Sequence, residues 1–279
     1  MRVVSALLVL LVTLSAFPAL SADQKESAYD RVMRTGTIRC GYIVGSPYIM
    51  RDPNTGALSG IWHDYSEVLG KALSLKIDWA QEVGYGDYAE ALDSGRIDAM
   101  CVGLWINPSR ARVSDFVVPI TYQTIYAWTR AGDTRFDKNM DAVNDPAIRV
   151  SCIDGEMSAI IAQEDFPKAA LACLPQSVGF SDLFMQVTQK KADIVFASAV
   201  AVGEFNRNNK PGLRMVSAAY PVRTFPEALA VARGDDDFRR MLDHTTQFLL
   251  DSGKINAIIV RYAKPGDFQY PIKPYEVTQ

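Results

Sequence analysis

The stretch Tyr88-Ala89-Glu90-Ala91-Leu92-Asp93-Ser94-Gly95-Arg96-Ile97-Asp98-Ala99-Met100-Cys101-Val102-Gly103-Leu104 carries the decisive pattern. Tyr88 to Ser94 reads as a short helix, and Gly95 is the residue expected at a helix stop, because it takes a left-handed conformation at no steric cost. The apolar run Ile97 to Leu104 then fits a buried parallel strand. Working outward, strands and helices alternate. Thr37–Val44 is β-rich, the turn signal at 52–56 marks a hairpin, Ile61–Leu73 has helical periodicity, and Lys76–Trp79 is a strand. Asp23–Thr35 reads as a helix ahead of them. The rhythm restarts at Ile148-Arg149-Val150-Ser151-Cys152-Ile153, with a helix from Met157 to about Gln163, a strand over Ala170–Leu174, a helix over Ser181–Gln189 and a buried strand over Ala192–Val200. This is α/β architecture in two units. The β-like runs Ile125–Trp128 and Leu229–Ala232 are placed to connect them, and Phe238–Leu250 and Ile255–Tyr262 are helical.

Composition narrows the function. The chain has 279 residues, of which 48% are hydrophobic and 22% charged, which excludes a disordered or collagen-like chain. A formal net charge of −3 leaves no basic excess for a phosphate backbone, so no nucleic-acid partner is expected. Two histidines and no Cys-x-x-Cys spacing argue against a metal site, and no cofactor is expected. Met1-Arg2, the apolar run from Val3 to about Leu14 and the small residues up to Ala22 read as a signal peptide over residues 1–22. A bilayer span would need about 20 apolar residues. The product is expected in the periplasm. Four cysteines, Cys40, Cys101, Cys152 and Cys173, in an exported chain favour disulfides over buried free thiols, with three pairings open.

Five runs together resemble one family. They are Gly60-Ile61-Trp62-His63-Asp64-Tyr65, then Ala91–Ala99 with its Ser94-Gly95-Arg96-Ile97-Asp98, then Asn107-Pro108-Ser109-Arg110 followed by Asp115-Phe116, then Lys190–Phe196, then Leu250-Asp251-Ser252-Gly253-Lys254-Ile255. Their order and spacing are similar to those of the extracytoplasmic solute-binding proteins of ABC transporters, in the polar amino-acid-binding family. The resemblance implies a type II periplasmic-binding-protein-like fold, two α/β lobes joined by two crossing strands with the ligand cleft between them. One lobe would span about 23–127 and 230–279, the other about 128–229. It implies capture of a small polar solute, an amino acid or a carboxylate, by hinge closure, and delivery by a monomer to an ABC permease.

By the same resemblance Arg110 is the guanidinium that pairs with a ligand carboxylate, a role its planar fork suits. Gly103 and Asn107 are positioned to help, Tyr48 to wall the pocket, and Trp105 to narrow it or offer a stacking face. Trp62 stands where the family usually has an acid. Glu156 and Ser158 lie where the second lobe usually bonds the carboxylate, and Ser198 replaces the acid that normally holds an α-ammonium. Either Glu156 supplies that missing charge or the ligand is a carboxylate or another polar solute. Two rival functions use the same fold: an accessory or signalling binding module, and an enzyme like the cyclohexadienyl dehydratases. The enzyme would need a general acid or base among His63, Glu156 and His244.

Overall fold

The computed structural model describes residues 26–176, 178–217 and 221–262. The expected signal peptide lies outside them. The chain runs α1 (Ala28–Thr35), β1 (Thr37–Tyr42), β2 (Met50–Arg51), β3 (Leu58–Ser59), α2 (Ile61–Leu73), β4 (Lys76–Glu82), α3 (Tyr88–Asp93), β5 (Ala99–Trp105), α4 (Pro108–Ala111), β6 (Ser114–Phe116) and β7 (Thr121–Arg130). After a 3-10 turn at Met140–Val143 come β8 (Arg149–Ile153), α5 (Met157–Asp165), β9 (Ala170–Leu174), α6 (Phe180–Thr188), β10 (Ile194–Ser198), α7 (Ala199–Asn208), β11 (Leu213–Met215) and β12 (Arg223–Ala232). Helices α8 (Asp236–Asp251) and α9 (Lys254–Tyr262) follow.

The main path of the sheet is β4-β1-β5-β12-β7-β10-β8-β9. The trios β4-β1-β5 and β10-β8-β9 are parallel, and in each the first strand of the unit sits between its second and third. Between the trios lie β12 and β7, antiparallel to each other and to their outer neighbours. These two strands are the runs that the sequence reading assigned to the connection. Each lobe is thus one βαβαβ unit, and β7 and β12 cross between them.

Apolar side chains segregate accordingly. One core draws on residues 32–120 and again on 229–259. Two others draw on residues 125–225. A matching polar clamp fastens each unit. Buried Asp98 accepts the backbone N–H of Arg39 at 2.7 Å and the Arg39 guanidinium at 2.9 Å. Asp193 accepts the backbone N–H of Arg149 at 3.0 Å and the Arg135 guanidinium at 2.9 Å. Each aspartate ends the Ser-Gly-Arg-Ile-Asp or Lys-Lys-Ala-Asp run and ties the entry of the third strand to the start of the first. A buried carboxylate needs such charged partners to offset its desolvation.

Four cysteines form two bridges, Cys40–Cys101 between β1 and β5 and Cys152–Cys173 between β8 and β9. Each staples two neighbouring parallel strands within one unit, so tertiary pairing chooses among the three pairings open to the sequence.

Several elements differ from expectation. The run Ile97–Leu104 pairs in parallel with β1 on one side only; on the other it is antiparallel to β12, because a crossing strand completes the lobe. The strand expected over Ala192–Val200 stops at Ser198, whose hydroxyl accepts from the Ala201 N–H and starts α7, a helix the apolar pattern had hidden. The strand expected over Lys76–Trp79 continues to Glu82. The first helix begins at Ala28 after a Ser27 cap, and residues 23–25 lie outside the described residues. No described helix is long and apolar enough to cross a membrane.

Candidate functional site

The carboxyl ends of β1, β5, β8 and β10 converge on a cavity of about 700 Å³ between the two groups of cores. This is where open α/β sheets hold ligands, since strand ends and helix starts leave backbone groups and loops free to shape a pocket. Seven of the nine residues singled out from the sequence line it. From the first lobe these are Tyr48, Gly103, Trp105 and Arg110; from the second they are Glu156, Ser158 and Ser198.

Arg110 is held from below. Asn107 caps α4 by accepting the Arg110 N–H at 2.9 Å, with Pro108 at the first helical position. The guanidinium reaches across the cleft. Its Nη2 donates to Glu156 Oε1 at 2.6 Å and its Nη1 to the Trp105 carbonyl at 3.2 Å. Its face lies over the Tyr85 ring, 5.5 Å from the centroid. Arg110 is 6% exposed and Glu156 8%. Glu156 is the N-cap residue of α5 but makes no capping bond. Its second oxygen, Oε2, is buried with no hydrogen-bond partner among the described residues. Burial pushes the Glu156 carboxyl upward, and Arg110 works against that shift.

Trp105 lines the cavity. Its indole N–H donates to Gln123 Oε1 at 3.1 Å, and Gln123 in turn donates to the Tyr48 hydroxyl. The ring meets Phe180 of the second lobe at 6.3 Å, and Phe180 also meets Tyr85 at 6.2 Å. An aromatic contact therefore spans the cleft beside the Arg110–Glu156 pair. Gly60 positions Tyr48. Its φ of +122° would be strained for any other residue, and a Cβ there would stand 2.5 Å from the Tyr48 carbonyl. That closeness lets the first amides of α2 bond the carbonyls of Pro47 and Tyr48, at 3.1 and 3.0 Å.

Two of the nine do not line the cavity. Trp62, 1% exposed, is core: it packs under Gly103 and meets Tyr65 edge-on at 5.7 Å. Helical spacing turns it inward from α2. Asn107 is buried behind Arg110 as its cap. Two that do line the cavity have their hydroxyls engaged. Ser158 Oγ donates to the Ser151 carbonyl at 2.7 Å and accepts from the Phe196 N–H at 3.2 Å, fastening α5 to the sheet. Ser198 Oγ caps α7. Of the three residues considered as acid or base, His63 stacks on Trp79 at 5.0 Å and pairs with Asp64, and His244 is exposed on α8; only Glu156 lines the cavity.

The sequence reading missed Tyr85, Gln123, Phe180, Glu204 and Glu227, all of which line the cavity. Glu227 carried a signal: it is a lone acid in the apolar run Phe225–Ala232. It is 2% exposed and accepts from Thr121 Oγ1 at 2.8 Å. Burial pushes its carboxyl up to about 7 against the pull of the Thr121 and Trp105 donors. No group of metal-ligating side chains occurs among the described residues.

Residues 38–265 match the sequence model of the bacterial extracellular solute-binding proteins, family 3. No curated protein sequence matches the chain. The fold is similar to that of an ancestral amino-acid-binding protein described as a precursor of cyclohexadienyl dehydratase, at a TM-score of 0.70 and 21% identity, covering 86% of this chain and 100% of that one. It is also similar to a putative binding component of an ABC transporter from Wolinella succinogenes complexed with lysine, at 0.68 and 19%, covering 83% and 97%. A third is an amino-acid ABC transporter substrate-binding protein from Streptococcus pneumoniae bound to L-arginine, at 0.68 and 17%, covering 88% and 100%.

Proposed function

Because the chain belongs to the bacterial extracellular solute-binding proteins, family 3, we propose that it captures a small polar solute between its lobes by hinge closure and delivers it to an ABC permease. In this reading residues 1–22 direct export and are removed, the mature monomer works in the periplasm, and the lobes comprise residues 23–127 with 230–279, and 128–229. The observation that carries the proposal is the cavity of about 700 Å³ whose walls come from both lobes. A ligand in such a cavity touches both lobes only when they are together, so its binding energy favours the closed state. A permease can then distinguish loaded from empty protein by shape.

Arg110 lines the cavity and pairs with Glu156 of the second lobe. In this reading Glu156 is the acid that meets a ligand beside Arg110. The similar structures with bound lysine or arginine support a solute bearing a positive nitrogen.

The test is a thermal-shift screen of mature protein that has been unfolded and refolded to strip carried solute. The panel holds amino acids, amines, and mono- and dicarboxylates. A ligand at about 100 times its dissociation constant adds ~2.7 kcal/mol, a rise of several degrees for a protein of this size. Folded protein with no shift from any class refutes the proposal.

A further inference from the structure

Among the described residues the cavity lining holds one cation, Arg110, against three carboxyl groups, Glu156, Glu204 and Glu227. Two of that cation's five N–H donors are already taken. Its terminal nitrogens bond Glu156 and the Trp105 carbonyl, and its face rests on Tyr85. Ser158, the second lobe's expected donor to a ligand carboxylate, has its hydroxyl hydrogen committed to the Ser151 carbonyl. A ligand carboxylate at Arg110 would compete with a buried ion pair of 2.6 Å and lie among three acids. Removing one partner of such a pair is strongly unfavourable.

The opposite charge meets a prepared site. Glu156 lines the cavity with a side chain nine-tenths buried, and its Oε2 is an acceptor without a partner among the described residues. The rings of Trp105 and Phe180 line the same cavity, 6.3 Å apart, and aromatic faces attract cations through the ring quadrupole; the Tyr85 ring already carries Arg110. An acceptor left unsatisfied in a buried place costs free energy that a donor recovers.

Resting on the solute-binding reading above, we infer that the solute is an organic amine or guanidine that carries no carboxylate, its N–H donated to Glu156 Oε2 and its charge flanked by Trp105 and Phe180. Arg110 then acts as a positioning residue. Its bond to Oε1 fixes the Glu156 carboxyl and leaves Oε2 for the solute, and it no longer serves as an anion anchor.

Matched ligand pairs test this on the stripped wild-type protein by titration calorimetry: agmatine against arginine, cadaverine against lysine, with glutamate and succinate as anions. The expected result is that at least one decarboxylated partner binds tenfold or more tighter than its amino acid. Equal or tighter binding of the amino acids, or binding of the anions alone, overturns the inference and leaves the solute-binding reading standing. No binding by any of the six overturns the inference, and silence across the wider panel above overturns both. Glu156→Gln supplies a second arm. Folded by circular dichroism, it should lose tenfold or more in affinity for the amine and gain affinity for the matching amino acid, as Arg110 is released. Unchanged amine affinity overturns the role given to Glu156.

Discussion

Neutralising Glu156 has a consequence that can be worked through from the geometry. Glu156→Gln keeps the shape and one acceptor oxygen but leaves the Arg110 guanidinium, 6% exposed, with no counter-charge at 2.6 Å. Breaking a buried pair from one side costs about 3–5 kcal/mol, and the retained acceptor puts this case near the lower end, ~3 kcal/mol. The pair joins the two lobes, so the orphaned charge can regain water by their separation. The cost therefore appears as a shift of the ligand-free protein toward an open state by a factor of about 100, more than as loss of any of the cores. Arg110→Gln strands Glu156 in the same way, and the double variant strands neither. Small-angle scattering of the four ligand-free proteins reads the opening, and urea denaturation reads the stability of the cores. Each single variant should scatter as a more extended particle, and the double variant should return toward wild type. If both singles scatter like wild type, and the double-mutant coupling lies within ~0.5 kcal/mol of zero, the ion pair does not hold the lobes together and the argument fails.

Three further outcomes follow from particular contacts. Gly103→Ala would put a methyl 2.6 Å from Trp62 Nε1, against a ring pinned in the core; the overpacking should cost about 1–3 kcal/mol in the urea midpoint, and no loss would mean that Trp62 is free to move. Burial raises the Glu227 carboxyl from 4.5 to about 7, so the folded state binds more protons than the unfolded one between those values. The Glu227 contribution to stability is then full below about pH 4.5 and falls by roughly 3 kcal/mol as pH rises through 7, and Glu227→Gln should flatten that decline in a pH series of melting curves. The bridges close loops of 61 and 21 residues, so serine replacement of Cys40 and Cys101 should cost about 4 kcal/mol and of Cys152 and Cys173 about 3 kcal/mol; chemical denaturation with the reverse ranking would refute the chain-entropy account.

Much of the fold is legible in local sequence. The alternation of apolar runs with helical periodicity marks both βαβαβ units, because each element's burial follows from spacing along one stretch of chain. The helix over Ile61–Leu73 agrees with expectation residue for residue, since Gly60 starts it and its apolar stripe repeats without interruption. The strand over Ala192–Val200 was read too long, because Val200 and Val202 are as apolar in α7 as they would be in a strand. Only the Ser198 cap, a hydrogen bond two bonds off the backbone, separates the two elements.

The candidate site divides along the same line. The chain by itself determined two α/β units, their order, and the residues at the ends of β1, β5, β8 and β10. These depend on periodicity and turns, which act over a few residues. Tertiary structure alone decided which cysteines bond, that Trp62 faces the core, and that Glu227 on β12 enters the cavity. It also decided that Arg110 meets Glu156 across 46 residues of sequence. Ionisation and pairing depend on distances of a few ångströms between elements far apart in the chain. A guanidinium free to bind an anion and one already held by a carboxylate are the same residue in sequence, and only the packing of the second lobe distinguishes them.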